Sequence, residues 1–109
     1  MPKDTGGTTV VERMPRSVPY DDFLTESLKS SRRAAAYLNA ALEDDDPRVF
    51  LAALRDVARA RGISKVAANS KLNRESLYKM LSKRGNPSLN SLGALLRSLG
   101  FKLAVKTAA

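Results

Sequence analysis

The chain has 109 residues, 43% of them apolar, about the size of one ordinary domain with a modest core. It contains neither cysteine nor histidine, which excludes disulfides, thiolate chemistry, most zinc sites and the commonest general base, so no enzyme, metal or cofactor is expected. The net charge of +8 sits in one half: residues 1–61 balance, whereas residues 62–109 hold nine Lys and Arg against one acid, Glu75.

A one-signed half is the electrostatic footprint of a polyanion, and points to nucleic acid ahead of plain solubility, for which a surface of mixed sign suffices. No run approaches the roughly 18 apolar residues of a membrane span, and the opening "MPKDTGGTTVVERMP" lacks the apolar core of a signal peptide, so a cytoplasmic protein is expected.

Residues 1–19, with Pro2, Pro15, Pro19 and the Gly6-Gly7 pair, read as a disordered arm, within which Met14 offers an alternative start. Residues 20–109 read as one domain: N-terminal helices over 20–46, a core over 47–100 and a short strand over 101–106. Asp21 or Asp22 can cap a first helix carrying Phe23, Leu24 and Leu28. Ser30-Ser31 can cap a second, where Ala34, Ala35, Leu38, Ala41 and Leu42 fall at helical spacing. That helix ends in "EDDD". Asp46-Pro47 then supplies a cap and a proline at the first helical position, and the stripe Phe50, Leu51, Leu54, Val57, Ala58 runs to Arg61, where Gly62 stops it.

Ser64 is expected to cap a helix of about two turns through Ser70 or Lys71, and Asn73 another through Ser82 or Lys83. "RGNPS" is a turn signal. Ser88 caps a helix with Leu89, Leu92, Leu95, Leu96 and Leu99, ended by Gly100, and "FKLAVK" alternates with period two as a strand does.

Two short helices joined by a tight turn, the second with one apolar and one polar face, are the ingredients of a helix-turn-helix. Val66 and Ala67 would pack inward from the first helix, and Leu72, Leu77 and Met80 would pin the turn and the second helix to the core. Any small helical bundle needs the same stripe. The opposite face separates the two readings: Arg74, Tyr78 and Ser82 form one row and Glu75 and Lys79 the row beside it. Arg74 can bond guanine at O6 and N7, Asn73 adenine, and Glu75 cytosine N4. Ser64, Lys65, Lys79, Lys83 and Arg84 complete the candidate DNA contacts. Asn73 is at the least a helix cap, Glu75 and Lys79 make an ordinary surface pair, and Tyr78 can equally cover a core edge.

Between Ile63 and Leu103, the run "SKVAANSKLNRESLYKMLSKRGNPSLNSLGALLRSLGFKL" resembles the XRE/Cro-type, lambda-repressor-like helix-turn-helix, including the "GNPSL" that opens its next helix. The preceding "AAAYLNAALEDDDPRVFLAALRDVARARG" is similar to the front half of a narrower group, the addiction-module antidote proteins, meaning Hig-type antitoxins; together the resemblance covers about residues 20–105. It implies an all-α fold and a small dimeric bacterial repressor of its own operon. It also implies neutralisation of a RelE/HigB-like ribonuclease toxin encoded beside it. Many relatives have glycine where this chain has Lys71, so either the turn differs or Lys71 is strained.

The rival readings are a stand-alone phage-like repressor and a protein-only interaction module. A toxin that cuts RNA would be basic, which makes the acidic run Glu43, Asp44, Asp45 the expected toxin surface. A lone strand leaves both edges unpaired, so Phe101, Leu103 and Val105 are expected to pair across a dimer axis and lie on the leucines of the preceding helix, with Lys102 and Lys106 in solvent.

Overall fold

Leu54 has no exposed surface, and the fold is arranged around the helix that carries it. The computed structural model describes residues 18–108 as six helices: α1 Val18–Leu28, α2 Ser31–Ala41, α3 Pro47–Arg61, α4 Ile63–Ser70, α5 Arg74–Met80 and α6 Leu89–Ser98. There is no strand among the described residues. The arm expected over 1–19 lies outside them, except that residues 18 and 19 open α1.

The central helix is α3. It runs beside α1, α2 and α4, while α4 in turn lies against α5 and α6. Leu51, Leu54, Val57 and Ala58 recur at the helical period and are buried, with Ala53 and Ala60 widening the stripe. Leu28, Val66, Leu77, Leu81, Leu95 and Leu99 close on it from the other helices as one continuous core. The Tyr37 hydroxyl on α2 donates to Asp56 Oδ2 on α3 at 2.7 Å, fixing the rotation of that pair.

Four helix starts follow the reading of the sequence. Ser30, Asp46, Asn73 and Ser88 each accept a backbone N–H of the next turn on a side-chain oxygen. Asp46 also takes the Arg48 guanidinium at 2.8 Å. The Arg48 side chain, more than the Arg48 backbone N–H, holds the Asp46 carboxyl below the usual carboxylate range. Its contribution is complete above the aspartate pKa of the unfolded chain and is lost as pH falls through the lowered folded value.

Two starts are corrected. The first helix begins at Val18, upstream of Asp21 and Asp22, and Asp21 sits inside its first turn, where a negative charge complements the helix dipole. Ser64 caps nothing: α3 and α4 are separated by Gly62 alone, whose φ of 94° turns the chain so sharply that α4 restarts at Ile63.

The helix ends are equally local. After α6, Gly100 takes a φ of 91°, its N–H donates to Arg97 O, and the Phe101 N–H donates to Leu96 O at 2.8 Å. The turn after α4 repeats this pattern, with Lys71 N–H to Ala68 O, Leu72 N–H to Ala67 O at 3.2 Å, and the left-handed position held by Lys71 at φ 63°. Lysine therefore occupies a conformation that its Cβ disfavours by about 1–2 kcal/mol, against roughly 0.5–1 kcal/mol of extra backbone entropy lost by a glycine. Lys71→Gly is expected to raise stability by about 0.5–1 kcal/mol, seen as a higher urea midpoint at unchanged slope. An unchanged or lower midpoint would show that the strain is relieved elsewhere.

Residues 101–108 form no strand. A strand is defined by its hydrogen-bonded neighbour, and no other strand stands among the described residues. Of the three expected interface residues, Phe101 packs on the core, whereas Leu103 is half-exposed and Val105 fully exposed, and all three line a groove that also takes in Leu96 of α6.

Candidate nucleic-acid interface

The segment from α4 to α5 is built from small and apolar residues inward and polar residues outward. Val66, Ala67 and Ser70 are buried on α4, and the small side chain at 67 lets the helices approach. The Ser70 hydroxyl donates to Ala67 O at 3.2 Å, so a polar group in the core is satisfied locally. Leu72 is half-buried in the turn, and Leu77 and Met80 carry α5 into the core.

The outward face of α5 and its cap consists of Asn73, Arg74, Glu75, Ser76, Tyr78 and Lys79, all exposed. The Arg74 guanidinium lies 5.9 Å from the centroid of the Tyr78 ring, with Nη2 donating to the Tyr78 hydroxyl at 3.5 Å. Tyr78 is half-exposed and partners Arg74. A cation–π contact at an exposed site is worth about 0.5–1 kcal/mol, which offsets part of the roughly 2 kcal/mol of rotamer entropy that a fixed arginine gives up. Glu75 and Lys79 form no ion pair among the described residues, so both are available to a partner.

Asn73 is the helix cap that the sequence reading gave it at the least. Its Oδ1 accepts the Ser76 N–H at 2.6 Å, which leaves the second lone pair of that oxygen and the amide NH₂ for an outward contact. A two-point contact to adenine would have to share Oδ1 with the cap.

The second helix ends at Met80, short of the expected Ser82 or Lys83. The Ser82 hydroxyl donates to Lys79 O at 2.8 Å, and the following loop folds back so closely that a Cβ on Gly85 would collide with the Met80 carbonyl. This return brings Arg84 beside Lys79 across a cleft of about 360 Å³, lined also by Ser76, Asn86, Ser88 and Ser91. Lys83 is exposed in the same loop, and Ser64 and Lys65 are exposed on the first turn of α4. The hydroxyls of the cleft were missed in the sequence, where Ser88 reads only as a cap; the "GNPS" turn beside a basic helix end is the signal that could have found them.

Two further surfaces frame this one. Glu43, Asp44 and Asp45 are exposed in the turn between α2 and α3, where Asp44 Oδ1 accepts the Asp46 N–H at 2.8 Å. They are flanked by Leu42 and Val49, 58% and 39% exposed. A groove of about 340 Å³ runs past Leu38, Leu42, Phe50 and Leu96 to the tail residues Phe101–Lys106. No helix among the described residues is long and apolar enough to cross a membrane.

Residues 20–107 match the family described as "Probable addiction module antidote protein", a span that opens two residues into α1 and runs through all the later helices into the tail. The chain belongs to that family. A protein of Haemophilus influenzae, described as "Uncharacterized protein", is 37% identical over 86 residues, covering 78% of this chain and 89% of the relative. No solved structure matches the chain. An antidote family implies a toxin as partner and places the chain on the antitoxin side of a toxin–antitoxin pair.

Proposed function

We propose that the chain is the DNA-binding antitoxin of a type II toxin–antitoxin pair, acting in the cytoplasm as a dimeric repressor of its own operon and neutralising a RelE/HigB-like ribonuclease. The observation that carries the DNA reading is the outward face of α5. It is polar throughout, lies in the half of the chain that holds the whole excess of positive charge, and presents Arg74 already stacked on Tyr78 at its N-terminal end.

In this reading α4 and α5 are the helix-turn-helix and α5 enters the major groove. Seven residues rise about 10 Å, two turns of helix along a groove about 12 Å wide. Arg74 reads guanine O6 and N7, Glu75 accepts from cytosine N4, and the Asn73 NH₂ donates to a single acceptor. Lys79, Lys83 and Arg84, with Ser64 and Lys65 at the start of α4, hold the phosphates on either side and set register without reading sequence. The toxin meets the acidic turn Glu43, Asp44, Asp45, where the flanking Leu42 and Val49 supply apolar area to a basic partner.

Arg74→Ala is expected to weaken binding to the preferred operator by about 1–3 kcal/mol and to relax base preference at one position, because it removes a base-edge contact. Lys83→Ala is expected to weaken all duplexes alike and to reduce the salt dependence by about one unit of slope. Titrations of an operator and a scrambled duplex at several salt concentrations separate the two. The same sequence-independent loss in both variants would remove α5 from the groove. Co-purification with the product of the neighbouring gene tests the toxin.

A further inference from the structure

We infer that Arg55, on α3 and itself no candidate DNA contact, is a positioning residue that sets the angle at which α5 is presented to the bases. This rests on the reading of α5 as the recognition helix. The Arg55 Nη1 donates to the carbonyl oxygen of Leu81 at 2.7 Å, across 26 residues of sequence. Leu81 follows the last residue of α5 and is 2% exposed, so its carbonyl has little water to turn to.

The other restraints on α5 explain why this one matters. The α5 backbone runs beside one other helix, α4. Its N-terminal end is held by the short turn through Lys71 and by the Asn73 cap. Along its length Leu77 and Met80 anchor it by apolar contact, which resists lifting the helix out but has no preferred direction and tolerates small rotation. The Arg55 bond is directional and charge-assisted, comes from the central helix, and places a cation at the negative end of the α5 dipole. Gly85 also lies against this end, leaving no room for a side chain against the Met80 carbonyl. The C-terminal end of α5 is thus located by the scaffold, and the residues that face DNA turn with it. Two-point reading of a base edge tolerates an error of only about 0.5 Å or 10–20°, so a recognition helix freed at one end loses discrimination before it loses attraction to phosphate.

The test compares the wild-type protein with Arg55→Met and Arg55→Lys on two duplexes: the sequence that the wild-type protein enriches from a random pool, and the same composition scrambled. Leu28→Val, a core change on α1, is the control for lost stability acting alone. Arg55→Met is expected to fall about tenfold in affinity for the enriched duplex while staying within about twofold on the scrambled one, at unchanged salt slope. Arg55→Lys, which keeps the charge on a less directional donor, is expected to lose about threefold, and Leu28→Val to keep its full discrimination. Should the methionine variant not fold, the lysine variant carries the same comparison. Discrimination as sharp as wild type in a folded Arg55 variant, or an equal loss on both duplexes, overturns the positioning role. A wild-type protein that enriches no sequence overturns the reading of α5 itself, and the inference falls with it.

Discussion

Leu77→Ala is expected to lower the stability of the chain by about 2–5 kcal/mol and to abolish sequence-specific binding at temperatures where the wild-type protein still binds. Leu77 has no exposed surface and stands in the middle of α5. Truncation to alanine removes the transfer free energy of three side-chain carbons, one methine and two methyls, and leaves a cavity that a close-packed interior fills only in part. A domain of this length has roughly 5–13 kcal/mol to lose in all, so the midpoint of thermal unfolding should drop by about 10–30 °C. The consequence reaches the outward face because α5 is only seven residues long. A helix of that length has no independent stability in water and exists here because its apolar side is buried. Loss of the Leu77 anchor frays the helix and scatters Arg74, Glu75 and Tyr78 together. Circular dichroism through a thermal ramp, paired with duplex titration, checks both parts. A variant that unfolds less than 1 kcal/mol more readily than wild type would show that the core around α5 is looser than a fully buried leucine implies.

Those features that depend on residues two to six apart were legible in the sequence. Ser30, Asp46, Asn73 and Ser88 cap because a side-chain oxygen reaches the N–H of the next turn whatever the rest of the chain does, and Gly62 and Gly100 end helices for an equally local reason. The inward row Val66, Ala67, Leu77, Met80 is likewise a property of helical period. Lys71 was legible as a question, and its φ of 63°, inside a hydrogen-bond pattern like that around Gly100, answers that the lysine itself takes the left-handed position.

What the sequence concealed depends on distance along the chain. Nothing in the neighbourhood of Arg55 names Leu81 as its acceptor, and only the return of the loop over Met80 brings Arg84 beside Lys79. Ser64 misled because it has the composition of a cap, while Gly62 ends one helix and starts the next with no side-chain cap, so that the cap position was already taken. The stop at Met80 has the same origin: Gly85 lies against the carbonyls that a longer α5 would use.

The tail poses the remaining question, and the expected result is that deleting residues 102–109 converts a dimer into a monomer and lowers operator affinity by more than about a hundredfold. Phe101 is kept because its N–H completes the turn after α6 and its ring packs on the core. Beyond it the chain alternates Lys102, Leu103, Ala104, Val105, Lys106 with no strand partner of its own, and Val105 is fully exposed. The groove beside it is apolar where Leu42, Phe50 and Leu96 line it, and Leu42 is 58% exposed. In the dimer reading, two tails pair about a two-fold axis, which satisfies the backbone N–H and C=O groups along one edge of each and lays Leu103 and Val105 over the groove of the partner subunit. Lys102 and Lys106 remain in solvent on the other face of the strand. Such a pairing sets two copies of α5 about 34–36 Å apart, one turn of DNA, and requires a palindromic operator with half-sites roughly 10 base pairs apart. Each half-site then raises the local concentration of the second copy of α5 at its own site, so loss of the dimer forfeits a factor of about 10² or more in affinity with no DNA contact touched. Analytical ultracentrifugation of the shortened chain, followed by titration of an intact palindrome and of a single half-site, checks both steps. A shortened chain that still sediments as a dimer and binds the palindrome as tightly as before would place the two-fold axis elsewhere on the molecule, whereas a monomer that binds both duplexes with equal, weak affinity is the outcome that tail pairing requires.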